Sequence, residues 1–170
     1  MKRFSVIVSI IILLCCCTRQ SAQLPSNKAT ISDEKMDMMT YNKMCIEAEM
    51  AEIGAYLDSS SVEFIKSDAG YWYKVVNSNK GTKVNDIVTI SGTVQVLGDT
   101  PCKELDSLTL RLGKRDHTKI LDLALVNAHV GDEIWIISPS SLAYGIKGIS
   151  NCITSRTPVL YKIKVLKTNE

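Results

Sequence analysis

Apolar residues recur at mostly three- to four-residue spacing through Met36, Met39, Met44, Ile46, Met50, Ile53 and Leu57. That is the period of one face of an α-helix. Ser32 can cap it, and Asp33 and Glu34 place acids in the first turn. The pattern predicts an N-terminal helix within residues 33–62, centred on Tyr41 to Leu57 and closing near Asp58-Ser59-Ser60-Ser61. A methionine-rich stripe can serve as a peptide-binding face, because methionine adapts to varied partners. Amphipathic stripes more often face the core, and packing on the rest of the chain is the expectation here.

From Gly70 the period changes to two. Gly70 to Val76 is aromatic and β-branched, and Asn77 to Gly81 reads as a turn. Asp86 to Leu97 alternates as one strand or two, with a kink at Gly92. After a turn at Gly98 to Pro101, Ser107 to Leu112 places Leu108, Leu110 and Leu112 on one face. Thr118 to Asn127 is a short apolar helix whose only charges are Lys119 and Asp122, so it must be nearly buried. Glu133 to Ile137 and Val159 to Lys167 are strands, the latter alternating as on a one-sided sheet. Trp135 is expected in the sheet core. Lys162, Lys164 and Lys167 are expected on its solvent face. The order predicts an α+β fold: an antiparallel sheet wrapped on one short helix, with an N-terminal helical extension.

The first residues read as an export leader. Lys2 and Arg3 precede an apolar run from Phe4 to Leu14. Eleven residues are too few to span a bilayer, which takes about 20, and they suit a signal peptide. Cys15, Cys16 and Cys17 follow, and a cysteine at this place resembles a bacterial lipoprotein cleavage box. Diacylation of that cysteine would give a stable anchor. A small preceding residue favours Cys16 or Cys17 as the lipidation site. The other reading is an ordinary signal peptide cut near Ser21-Ala22. Residues 1–17 are thus assigned to the leader, 18–32 to a polar flexible tether, 33–62 to the helix and 63–170 to the β-rich domain. With no acid cluster after the cysteines, the expected location is the bacterial cell envelope, facing the periplasm.

A net charge of +2 gives no strong field toward nucleic acid. Beyond the leader stand Cys45, Cys102 and Cys152, an odd count that leaves at least one unpaired. Cys102 and Cys152 fall in predicted loops and can pair. Cys45 lies in the helical pattern as a small buried hydrophobe. The cysteine spacing does not fit zinc, and His117 and His129 lack an i, i+4 partner, so neither a metal nor a cofactor is expected.

The sequence Ser138-Pro-Ser-Ser-Leu-Ala-Tyr-Gly-Ile-Lys-Gly148, after Val130 to Ile137, presents one tyrosine between small residues. It resembles the tyrosine loop of FKBP-type peptidyl-prolyl isomerases. Gly70 to Val76 resembles that family's first strand. Lys83 to Gly92 resembles its "GD-x-V-x-V-x-Y-x-G" strand, and Leu110-Arg-Leu-Gly113 its "F-x-LG" segment. Val130-Gly-Asp132 and Leu160-Tyr161 resemble its "GD/E" turn and closing strand. The resemblance spans roughly residues 65–170, and the preceding helix, with Ile53 and Tyr56-Leu57, also resembles lipid-anchored isomerase-like proteins of the gliding-motility-associated type.

The resemblance implies catalysis of prolyl cis–trans isomerisation on proline-containing polypeptide clients. Rotation breaks amide resonance, with an uncatalysed barrier of about 18–20 kcal/mol. No nucleophile or metal is needed. An apolar bowl holds the ring, and donors favour the twisted amide over the planar one. By position, Tyr144 would offer its hydroxyl to the substrate carbonyl and the Thr118 amide would be a second donor. Asp106 would fill the place of the pocket aspartate. Ile90, Leu108, Leu121, Ile153 and Tyr161 would form the substrate pocket, with Gly145 and Gly148 folding the loop over its mouth. His117 is expected to be exposed at the start of the pocket helix. Tyr144 also reads as a buried tyrosine pinning its loop to the sheet, and Asp106 as a turn residue before a strand.

The chain departs from the family at Leu121, which replaces the tryptophan floor, and at Ile90, which replaces a tyrosine. "FDSS" is reduced to Leu105-Asp106-Ser107, and "IPP" reads Ile153-Thr154-Ser155. The bowl should therefore be less aromatic. Three readings follow: a membrane-anchored isomerase for exported proteins, an FKBP-like binding or chaperone lipoprotein of weak or absent activity, and a structural envelope lipoprotein docking through its methionines.

Overall fold

In the computed structural model the described residues are 37–78 and 81–169. The leader, Cys16 and Cys17, the tether and the Ser32 cap lie outside them, as do residues 79 and 80 of the predicted turn. The chain divides into Met1–Asp37 and Met38–Glu170, and every described element belongs to the second unit.

That unit carries helix α1 (Met38–Ser59), β1 (Ile65–Lys66), β2 (Trp72–Asn77), β3 (Ile87–Val96) and β4 (Lys103–Arg111). Helix α2 (Lys119–Leu125), β5 (Glu133–Ser138), a 3-10 turn (Ser140–Leu142) and β6 (Val159–Thr168) follow. The six strands form one antiparallel sheet in the order β1-β2-β5-β6-β3-β4.

One face of the sheet receives α2. Ile120, Leu121 and Leu125 enter the cluster formed by Val88, Ile90, Val94, Ile134, Ile136, Tyr161, Ile163 and Val165. Each such side chain stabilises the fold by roughly 1.5–3 kcal/mol through removal from water. The other face is covered locally by α1, where Ile53 packs with Ile137 and Leu160. Coverage on both sides explains why Ile136 and Ile137, successive residues pointing opposite ways, are both fully buried. Trp135 belongs to this second, α1-side cluster and is half-buried, with the Lys162 ammonium 4.5 Å above its ring.

The packed stripe of α1 corrects the sequence expectation. It runs through Asn42, Cys45, Glu49, Ile53, Tyr56 and Leu57, which keep helical spacing. Met38, Met39, Met44, Ile46 and Met50 are exposed. Cys45 is half-buried and unpaired, whereas Cys102 and Cys152 form a disulfide.

Gly92 marks the predicted kink. The β3–β4 register shifts between Ile90 and Gly92, and the backbone there has φ 153°. A Cβ on this residue would strike the Lys162 carbonyl and come within 2.8 Å of the Ile163 Cα, so only glycine lets β3 and β6 approach this closely.

Candidate functional site

A cleft of about 340 Å³ opens where β4, the start of α2 and the segment after β5 meet. Its lining is Lys103, Leu105, Leu108, Asp116, His117, Thr118, Leu121, Ala143 and Tyr144. The volume lies at the small end of ligand pockets, which run about 300–1,000 Å³.

Thr118 is the N-cap of α2 with extended backbone (φ −65°, ψ 141°), yet its side chain caps nothing. Its hydroxyl instead lies 3.2 Å from the Tyr161 hydroxyl. The first amides of a helix have no i−4 acceptor within it. At the start of α2 the Leu121 amide turns back to the Thr118 carbonyl at 3.1 Å, which leaves the amides before it as the candidate donors. Leu121, one turn further on, supplies an apolar floor and is itself buried.

Tyr144 is held by the turn that precedes it. The Ser140 carbonyl accepts from the Ala143 amide at 2.9 Å and from the Gly145 amide at 2.7 Å. Gly145 and Gly148 have φ 58° and 61°. At Gly148 a Cβ would come within 2.9 Å of Thr154 backbone atoms, so this glycine is required for the close turn. The Tyr144 ring stacks on Tyr161 at 6.3 Å between centroids, and the Lys103 ammonium lies 5.3 Å from its centroid. Burial first, and then neighbouring Tyr144, push the Tyr161 hydroxyl far above the ordinary phenol range; its bond to Thr118 acts weakly in the opposite direction. Tyr161 is therefore a neutral group linking the two proposed donors.

Of the residues singled out from sequence, Tyr144, Thr118, Leu108, Leu121 and His117 meet at this cleft. Ile90, Ile153 and Tyr161 are core residues, at most 2% exposed, and do not line it. Asp106 does not line it either. The β4 register jumps from Leu108 to Leu105, and Ser107 takes φ 46°, so the bulge leaves Asp106 exposed on the strand. The acid at the cleft is Asp116, whose carboxylate accepts from the Arg111 Nε at 3.1 Å. Lys103, Leu105 and Ala143 were also missed. The spacing of Leu105 from Leu108 hides its role, because three residues apart on a regular strand means opposite faces.

A second cleft, of about 310 Å³, is lined by Tyr71, Tyr73, Leu123, Ala124 and Asp132 among others, and lacks every one of the expected site residues. Among the described residues, no group of three or more His, Cys, Asp or Glu side chains is placed to hold a metal ion.

A model of the FKBP-type peptidyl-prolyl cis-trans isomerase family matches residues 78–166. The match covers just over half of the chain, and the chain belongs to that family. It is an enzyme of the peptidyl-prolyl cis-trans isomerase class, which acts on proline-containing polypeptides. Among solved structures, it is similar to a peptidyl-prolyl cis-trans isomerase from Pseudomonas syringae pv. tomato. That match has a TM-score of 0.64 at 17% identity, over 76% of this chain and 96% of the other. AtFKBP13 is similar with a TM-score of 0.59 at 18% identity, over 64% of this chain and all of the other. No curated protein matches the chain.

Proposed function

We propose that the cleft between Thr118 and Tyr144 is where the X-Pro bond is rotated, and that the protein is a lipid-anchored folding factor for exported polypeptides. The observation that carries the site is the convergence on one cleft of an apolar floor, a helix start and a phenol. Leu121, Leu108 and Leu105 receive the pyrrolidine ring. The Tyr144 hydroxyl and the Thr118 amide donate to substrate carbonyls flanking the rotating bond and so hold the chain in place, since a donor on the rotating carbonyl itself would favour the planar state.

The peptide twists about C–N as conjugation is lost, so charge on the carbonyl oxygen falls and the nitrogen gains a lone pair. An apolar enclosure weakens solvation of the planar, more polar state relative to the twisted one. Each ~1.4 kcal/mol of that preference is tenfold in rate. No bond is made or broken, so the chain needs only to hold and desolvate the substrate.

Export and anchoring rest on Lys2, Arg3, the run Phe4 to Leu14 and the cysteines at 16 and 17. The Cys102–Cys152 disulfide supports an oxidising compartment. A periplasm-facing position on a bacterial envelope membrane fits both. Proline-limited refolding of a reporter protein tests the reaction: catalysis that falls in Tyr144→Phe is expected, and an equal rate in the variant removes the site. Incorporation of a palmitate analogue, abolished by replacing both Cys16 and Cys17 with Ser, tests the anchor.

The exposed methionines of α1 favour a second reading, in which the protein also grips apolar segments of unfolded clients. Suppression of client aggregation that is lost on Met44→Ser with Met50→Ser supports it.

A further inference from the structure

Glu49 is a carboxylate only 7% exposed, on a helix whose neighbouring methionines stand in solvent. Burial of a charge is costly unless its lone pairs are satisfied. Both Glu49 oxygens are satisfied by one residue 91 positions away. The Ser140 amide donates to Oε1, and the Ser140 hydroxyl donates to Oε2 at 3.0 Å. Bonds of a backbone N–H to a carboxylate are among the stronger ones a protein makes.

Ser140 is also the residue whose carbonyl closes the turn around Tyr144, through the amides of Ala143 and Gly145. Its donors are thus fixed by α1 and its acceptor fixes the loop. The far end of the same loop is held by the same helix. The Arg156 amide donates to the Gly145 carbonyl at 2.9 Å. Its guanidinium donates to Asn42 Oδ1 at 2.7 Å and lies 5.6 Å from the Tyr41 ring centroid. Asn42 and Glu49 are seven residues apart, two helical turns on one face. Attachment of α1 to the sheet is provided separately, by Ile53 against Ile137 and Leu160.

We propose that Glu49 is a positioning residue for the isomerase reaction: from α1 it sets the turn that aims Tyr144 into the cleft, with Asn42 and Arg156 as the second hold on that loop. This rests on the assignment of Tyr144 to the substrate cleft. It makes the N-terminal helix part of the catalytic apparatus rather than a spacer.

The test uses the full chain with Glu49→Ala, Glu49→Gln and, as a control on the same helix, Ile53→Val. Glu49→Ala is expected to lower kcat/KM roughly ten- to a hundredfold, chiefly through kcat, as misplacement of a reacting group does. Ile53→Val should lose thermal stability and keep kcat/KM. Glu49→Gln has the same shape and an amide oxygen for the Ser140 N–H, and should recover most of the rate. Independently of turnover, amide exchange at Ala143 and Gly145 should rise about tenfold or more in Glu49→Ala and stay unchanged in Ile53→Val, since local opening governs exchange. Active wild type with Glu49→Ala indistinguishable from Ile53→Val in both readouts overturns the role of Glu49 alone. Wild type without isomerase activity overturns the cleft assignment and this role together.

Discussion

The hydroxyl of Tyr161 lies 3.2 Å from that of Thr118, joining the first part of β6 to the N-cap of the pocket helix α2. The same phenol ring stacks on Tyr144. One buried side chain therefore sets the spacing between the helix start and the tyrosine loop.

Removing that hydroxyl should loosen the spacing and keep the stack. Tyr161→Phe is expected to cost about 0.5–1.5 kcal/mol of stability, the usual worth of one hydrogen bond. It should also lower kcat/KM several-fold. Chemical denaturation and peptide-isomerisation assays read the two effects.

Alkaline titration follows from the direction of the Tyr161 shift. An unfolded tyrosine ionises near pH 10, whereas the folded one holds its proton to higher pH. The stabilisation is then fully present below about pH 10 and is lost as pH rises above it, toward the raised folded value. Absorbance of phenolate should show one tyrosine that ionises only together with loss of near-ultraviolet circular dichroism. In Tyr161→Phe that component should vanish.

Leu121→Trp restores an aromatic floor to a cleft of about 340 Å³. Tighter binding of proline peptides is expected, seen as a lower KM, because aromatic packing against the ring adds to area burial. Unchanged KM in a folded variant would place the proline ring elsewhere.

The Cys102–Cys152 bond ties the start of β4 to the loop that bears Tyr144, across 50 residues of sequence. Replacing both cysteines by serine should cost about 2–4 kcal/mol of folding stability. Denaturation midpoints with and without reductant measure it, and only the wild type should respond.

Two substitutions on α1 should separate its faces. Met44→Ser, on an exposed residue, should change stability by no more than about 0.5 kcal/mol. Ile53→Ala, at a residue 0% exposed, should cost about 2–5 kcal/mol. Thermal unfolding decides between them.

The strands and the pocket helix were legible because a regular alternation or a 3.6-residue period survives in Ser107 to Leu112, Leu160 to Lys167 and Thr118 to Asn127. Pairing of Cys102 with Cys152 was legible as a possibility from their loops. Asp106 was misplaced because a bulge at Ser107 breaks the alternation that position-by-position transfer assumes. The packed side of α1 was misread for a related reason. Its stripe contains Asn42 and Glu49, whose burial depends on partners at Arg156 and Ser140, more than 90 residues distant. Polarity along a helix does not announce such partners. Leu121 lines the cleft, while Ile90, Ile153 and Tyr161 are buried and do not, a distinction of depth that alternation cannot give.

Strand β6 is the last described element, yet it sits between β5 and β3 in the sheet. Neither flanking group of strands can close on the other until it inserts. A ribosome making this chain would thus have to release residues through Thr168 before the sheet has a middle. A stop codon ahead of Val159 would leave two unjoined ribbons, β1-β2-β5 and β3-β4, instead of a shortened enzyme.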